Sequence, residues 1–492
     1  MNVKKFLTGV LAFAITASLI SGCGGGEHDK KNVTLRYIMA GPGMQEDSRE
    51  VWSAFNDKLH EKLPNITVDF EVIPLAEYKQ KVMLMMSARE QIDIINNYGL
   101  DFPTEVNNGT FAVMDDLLDQ YGSDIQKGLP EWLWNYETIN GNIYGIPTYQ
   151  MMGQTRCICF IKELADKFLD MDALRKAIDS SPNWSQEVYD ILTKYCEDVK
   201  AAGYNFKSTS LLNTKGYDTI IGPYGVRYGD ESCKVVNVYT NENADVRYKT
   251  AKEWMNKGYI RADALSATDG NNYKGKIDGV LFWDEVYTPY TADTLTKQYG
   301  TEIVTIPFDV DPYIGFKALA GGTSIMQSSK YKEESMKVLN LLQTDKELYN
   351  LLVFGIEGKN YKKVGDNRIE TTFESSPSAN DAYGLFKWIV GNSSLAYNIQ
   401  SEPDSYNDWA FNEVNNSPNR SKLMGFQVDT TKISDNISQV SSIVGQYLQP
   451  LSVGAVPDWE ANYSEFKEKL KIAGEDAIIA ELQKQVDEFL DK

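Results

Sequence analysis

The sequence predicts an α/β protein with more than one hydrophobic core. From residue 33 onward apolar residues recur at strand period, then at helix period, then at strand period again. The connections between these runs are short, as strand–helix–strand units require. The folded part, roughly 460 residues, exceeds what a single core supports.

In chain order, Val33 to Met39 sets residues 33, 35, 37 and 39 on one strand face. Trp52, Phe55, Leu59 and Leu63 then recur at helical spacing, with Asp47 and Glu50 placed for a capping box. Ile66 to Val72 alternates as a second strand, so the first two strands are expected to run parallel. A helix from about Ala76 to Arg89 leads into a third strand, Gln91 to Asn96. Ligands of such sheets sit beyond the carboxyl ends of the strands. That rule points to Gln45 and Glu46 after the first strand and to Tyr98 and Asp101 after the third. Glu46 reads equally as an acid at a helix N-terminus.

Asn140-Gly141-Asn142 between two short apolar runs predicts a hairpin with a primed turn. Helical patterns follow at 162–178, 185–201 and 244–257. An apolar strand from Gly279 to Trp283 is expected to give way to a loop at Asp284, with further strands at 301–307 and 318–326. The last helix carries Ile478, Ile479, Leu482, Val486 and Phe489 on one face.

Residues 1–22 read as a signal peptide, with Lys4 and Lys5 ahead of an apolar stretch too short to span a bilayer. Leu19-Ile20-Ser21-Gly22-Cys23 resembles the bacterial lipobox, in which the cysteine thiol takes a diacylglycerol. Acyl chains on Cys23 would anchor the chain to a membrane without spanning it. Residues 23–32, glycine-rich and charged, are expected to be a flexible tether.

Losing Lys4 and Lys5 takes the net charge from −20 to −22. Such an acidic chain is poorly matched to nucleic acid or to anionic headgroups. Aromatics make up 12% of the chain, led by 29 Tyr, and amphipathic rings of this kind suit the apolar face of a sugar. With only His28 and His60 there is little for zinc chemistry or a Ser-His-Asp triad, and no cofactor is expected. Gly41-Pro42-Gly43 lacks the third glycine of a dinucleotide loop. Cys157 and Cys159 share a strand face and are poorly placed to pair, whereas a Cys196–Cys233 disulfide stays open beside buried free thiols.

The order of four stretches resembles the family 1 extracellular solute-binding proteins, the maltose-binding group. They are Asp93-Ile94-Ile95, Asn142 to Pro147, Gly279 to Trp283, and Gly321-Gly322-Thr323-Ser324-Ile325. Leu341 to Leu352 running into Phe354 to Tyr361, with Gly391-Asn392, Gly425 to Asp429 and Leu470 to Gly474, is similar to the lipoprotein LplA-like subgroup with its C-terminal extension. The resemblance implies a two-lobed, periplasmic-binding-protein-like (type II) α/β fold with hinge strands and a mostly helical extension. It implies lobe 1 from 33–147 plus 305–353, and lobe 2 from 148–304 plus 354–492. It further implies a monomer on the extracytoplasmic face of a bacterial membrane. That monomer would close on a carbohydrate, pass it to ABC permease subunits and perform no covalent chemistry.

By the same resemblance Trp283 is a stacking platform at the end of its strand, the alternative being a core residue. Asp284 is a hydroxyl acceptor or a solvated acid, and Tyr149 and Gln150 follow the first hinge crossing. Trp388 and Trp409 add stacking surface or fill the core. A lipid-anchored glycan hydrolase, a solute-binding sensor subunit and a peptide cargo are the alternatives; a hydrolase needs a carboxylate pair that 69 acids make impossible to single out.

Overall fold

The computed structural model describes residues 31–153, 155–180, 185–209, 216–267, 270–308, 312–317 and 321–491. The signal peptide, Cys23 and most of the tether lie outside the described residues. No helix among the described residues is long and apolar enough to cross a membrane.

β1 (Val33–Gly41), α1 (Ser48–His60), β2 (Ile66–Pro74), α2 (Leu75–Ser87) and β3 (Ile94–Asn96) follow the predicted order. β1 runs parallel to both β2 and β3, with Tyr37 opposite Phe70 and Ile94. The predicted hairpin forms at Thr138–Ile139 and Asn142–Ile143. Its turn has φ of 51° at Asn140 and 81° at Gly141, the positive pair a type I′ turn needs. The chain then makes a short strand β4 (Ile146–Pro147) and leaves for a second sheet through β5 (Thr155–Ile161), β6 (Phe282–Tyr287) and β7 (Ile303–Pro307). It returns as β8 (Gly322–Ile325), giving a first sheet of order β2-β1-β3-β8-β4 and a second of order β6-β5-β7. β8 is antiparallel to its neighbours β3 and β4.

Three cores result. The first sheet packs on α1, α2, Ile314 and residues 325–399. The second sheet packs on helices Lys162–Phe168, Met171–Ser180 and Gln186–Ala201. The third unites a small antiparallel sheet (Tyr217–Ile221, Tyr224–Arg227 and Val235–Asn237) with helices Ser434–Ser452, Trp459–Ile472 and Glu475–Leu490. Ile478, Leu482 and Val486 are fully buried there, and Ile479 and Phe489 pack beside them. Helix Ala244–Lys257 joins two cores, because Trp254 belongs to the second while Ala244 and Tyr248 belong to the third.

Several expectations need correcting. Residues 354–399 pack with the first core, not with the second lobe: Leu385 N–H donates to Val353 O at 2.8 Å and Tyr383 Oη to Leu352 O at 2.6 Å. Asp47 does not cap α1 with its side chain. Its carboxylate instead takes Lys359 Nζ and Asn360 Nδ2, both at 2.8 Å, because a long-range cation outcompetes a local amide. Cys157, Cys159, Cys196 and Cys233 are all free and buried. Cys196 and Cys233 sit in different cores, which rules out their pairing.

Candidate functional site

The strand expected at 279–283 runs from Phe282 to Tyr287, so its end lies four residues later than the apolar run suggests. Pairing continues through the charged residues because each has a partner. Asp284 takes Arg156 Nη2 at 2.6 Å and Glu285 takes Lys274 Nζ at 2.6 Å. Trp283 therefore lies inside the strand and the core: it is 2% exposed, opposite Cys159, with Tyr299 edge-on at 6.0 Å. It has no open face for a ligand, and Asp284 is an ion-pair partner in the strand, not a free loop acid.

The end of β6 and the residues that follow it line a cavity of about 240 Å³. Glu285, Thr288, Tyr290 and Thr294 form one wall, while Ser401, Glu402 and Tyr406 form part of the other. The walls touch at the rim, where Tyr290 Oη and Ser405 Oγ are 2.6 Å apart and Thr294 Oγ1 donates to Ser401 O at 3.2 Å. Glu402 is fixed by Lys387 Nζ at 2.5 Å and by Ile399 N–H at 3.2 Å. The Lys387 ammonium lies 4.7 Å from the Tyr406 ring centre. Burial, and next the Glu402 charge, push the Tyr406 phenol above its usual range, so it stays a neutral donor. The cavity wall thus offers hydroxyls, two neutralised carboxylates and aromatic rings. Tyr290, Tyr406 and Glu402 were missed from sequence; Tyr287-Thr288-Pro289-Tyr290-Thr291 is the signal that could have found the first.

Two further ring groups flank residues 386–411. Half-buried Tyr98, at the carboxyl end of β3, stands 6.0 Å from Trp388, which in turn stacks on Phe386 at 5.7 Å. Tyr149 packs on Phe411 at 5.0 Å, and its backbone pairs with Gly391 O and Ser393 N–H. Half-buried Trp409 lies 6.3 Å from Tyr290, linking this segment to the cavity rim. The structure brings Tyr98 and Trp388 together, and Tyr149 with the same segment.

Other expected contacts are used internally. Gln45 is buried, donating Nε2 to Ser378 O at 2.7 Å and accepting Gly384 N–H at 3.0 Å, so its amide is spent on the fold. Gln150 is buried and its backbone carbonyl accepts Asn415 Nδ2 at 2.6 Å. Glu46 is exposed ahead of α1. Asp101 is exposed at the N-cap of helix Phe102–Asn107, reaching Thr104 N–H at 3.5 Å. Among the described residues no group of three metal-ligating side chains comes together.

Comparison with known proteins agrees with this architecture. A carbohydrate ABC transporter substrate-binding protein of Streptococcus pneumoniae serotype 4 is 24% identical over 504 positions, 99% of each chain. The crystal structure of the N-glycan transport solute binding protein NgtS from Streptococcus pneumoniae superposes with a TM-score of 0.78 at 23% identity, covering 93% of this chain and 99% of that one. NgtS in complex with Man5GlcNAc gives 0.68 at 23% identity, covering 94% and 99%. An extracellular solute-binding protein from Bifidobacterium longum subsp. infantis gives 0.62 at 16% identity, again over 94% and 99%. Residues 422–491, the three-helix end of the chain, match a domain of unknown function (DUF3502). Residues 42–348, which hold the whole second sheet and every strand of the first except β1, match the bacterial extracellular solute-binding protein model, and the chain belongs to the bacterial extracellular solute-binding proteins.

Proposed function

We propose that this chain is a lipid-anchored receptor that holds a carbohydrate between two lobes and hands it to an ABC importer. The observation that carries the reading is the cavity after β6, with its hydroxyls, fixed carboxylates and tyrosine rings drawn from residues 285–295, beside the second core, and from residues 401–406, which follow Ile399 of the first. Sugars are held by this combination, with ring faces against the apolar side of the pyranose and acceptors at its hydroxyls. A volume of about 240 Å³ has room for one sugar ring, so an oligosaccharide would extend outward along the rings of 386–411. The relative's carbohydrate transport name and the NgtS complexes support the same ligand class.

The lobes are the first core on one side and the second and third on the other. The described residues change core between Met152 and Cys157, between Phe308 and Ile314, and between Ile399 and Leu423. A ligand that touches both sides favours the closed arrangement by its differential affinity, and the importer reads closure. No bond is made or broken in this scheme, and the chain acts as a monomer.

A thermal-shift screen of the soluble domain against a glycan library tests this. A bound glycan at a hundredfold excess over Kd is expected to add about 2.7 kcal/mol of stability. Tyr290→Phe should weaken that glycan by up to about tenfold with little change in unliganded melting, and Trp388→Ala by a similar factor with a lower unliganded melting point, because its ring also packs on the first core. A library with no stabilising member, or variants that bind as wild type does, would count against the site. For the anchor, Cys23→Ser is expected to release the chain from membranes into the medium. A mature wild-type chain whose Cys23 carries no added lipid mass would refute lipidation at this residue.

A further inference from the structure

Beneath Tyr98 and Tyr149 lies a carboxyl group that the ligand site itself does not use. Glu137 is 1% exposed, at the base of the hairpin. A Cβ on Gly145 would fall 2.1 Å from its Oε2, and one on Gly322 would fall 2.5 Å from its Oε1, so two bare glycines form the cradle. Asn97 Nδ2 donates to Oε2 at 2.7 Å and to Ser324 Oγ at 3.3 Å, while Asn97 Oδ1 accepts Gly322 N–H at 2.5 Å. Asn97 N–H donates to Gly322 O, and Thr148 N–H donates to Gly321 O. The residues adjoining Asn97 and Thr148 are Tyr98 and Tyr149. One carboxyl thus packs against Gly145, just before β4, and Gly322 of β8, and it bonds Asn97, which itself bonds β8.

We propose that Glu137 is a positioning residue that, in its neutral form, clamps Asn97 against β4 and β8 and so holds the rings of Tyr98 and Tyr149 in register for ligand; this rests on the reading that those rings belong to the binding site. The neighbours are uncharged: Asn97 after β3, Ile146 on β4, and Gly322 and Ser324 on β8. Titratable groups on the surrounding elements are engaged elsewhere. Tyr37 Oη meets Thr323 Oγ1 and Tyr136 Oη donates to Gly315 O. Asp93, at the far end of β3, takes Arg36 N–H and Ser329 Oγ. Among the described residues no cation pairs with Glu137. Burial, offset only by the Asn97 hydrogen bond, pushes its carboxyl up to about 8. An acid raised in this way stabilises the fold fully below the unfolded carboxyl range, and that contribution is lost as pH rises to about 8, where the buried group ionises without a partner.

Hydrogen exchange across pH 6 to 9.5 tests the clamp without any ligand. In the wild-type chain, protection of the Asn97 and Gly322 amides should fall by up to about tenfold per pH unit between pH 6 and about 8 and level off above it, relative to the β1–β2 ladder. Glu137→Gln, neutral at every pH, should show no such step. A flat wild-type profile, or the same fall in Glu137→Gln, overturns the clamp. Affinity for Man5GlcNAc over the same series reads the positioning role: it should weaken with the same midpoint in wild type only. Binding that is independent of pH in wild type while the exchange step is present overturns that role. If Man5GlcNAc binds neither protein, the carbohydrate reading is what has failed for this probe, and the exchange profile still decides the clamp.

Discussion

Trp283→Ala is expected to lower the unfolding free energy by about 3–5 kcal/mol, the cost of emptying a large aromatic from a packed core. The ring is sealed between β5 and Tyr299. Its indole N–H has no acceptor among the described residues, so Trp283→Phe should recover most of the loss by refilling the space. Denaturant midpoints of the three proteins check both statements. A Trp283→Ala chain with unchanged midpoint and no glycan binding would return this ring to the cleft.

Removing residues 422–491 is expected to have a larger effect still. That segment supplies Leu423, Val440, Tyr447, Phe466, Leu470, Ile478, Leu482 and Val486 to the third core. Without it Ile220, Tyr224, Val226 and Tyr248 lose their cover, and at about 1.5–3 kcal/mol per fully buried apolar side chain the remaining sheet cannot stay folded. The truncated chain should aggregate, or expose residues 216–257 to limited proteolysis within minutes of mixing while the first core resists. A soluble, protease-resistant truncation with native melting would show that the extension is an accessory and not part of a core.

The first half of the fold was legible because its elements are regular. β1, α1, β2, α2 and β3 each show one unbroken period, and the Asn140-Gly141 turn announces itself by the φ values it demands. The end of β6 was not legible. Asp284 and Glu285 look like the start of a loop unless Arg156 and Lys274 are known to stand beside them, and those partners come from β5 and from a turn ahead of β6. That four-residue shift moved the expected platform onto Trp283 and hid Tyr290. Gln45 was misread for a related reason: a polar residue after a strand looks available until Ser378 and Gly384, more than 300 positions away, occupy its amide. Tyr98 and Trp388 were selected separately, and only the fold shows that they are neighbours. Glu137 gave no sign at all, since nothing local distinguishes a buried acid from the chain's other acids.

Helix Ala244–Lys257, rooted in two cores at once, makes the second core and the three terminal helices a single lever. Any pivot at the crossing strands swings this whole arm, and travel grows with distance from the fulcrum. The turns farthest from it would sweep the longest arc. A few degrees at the seam would thus be magnified at the rim, giving a membrane partner a coarse, easily sensed indicator of an occupied receptor.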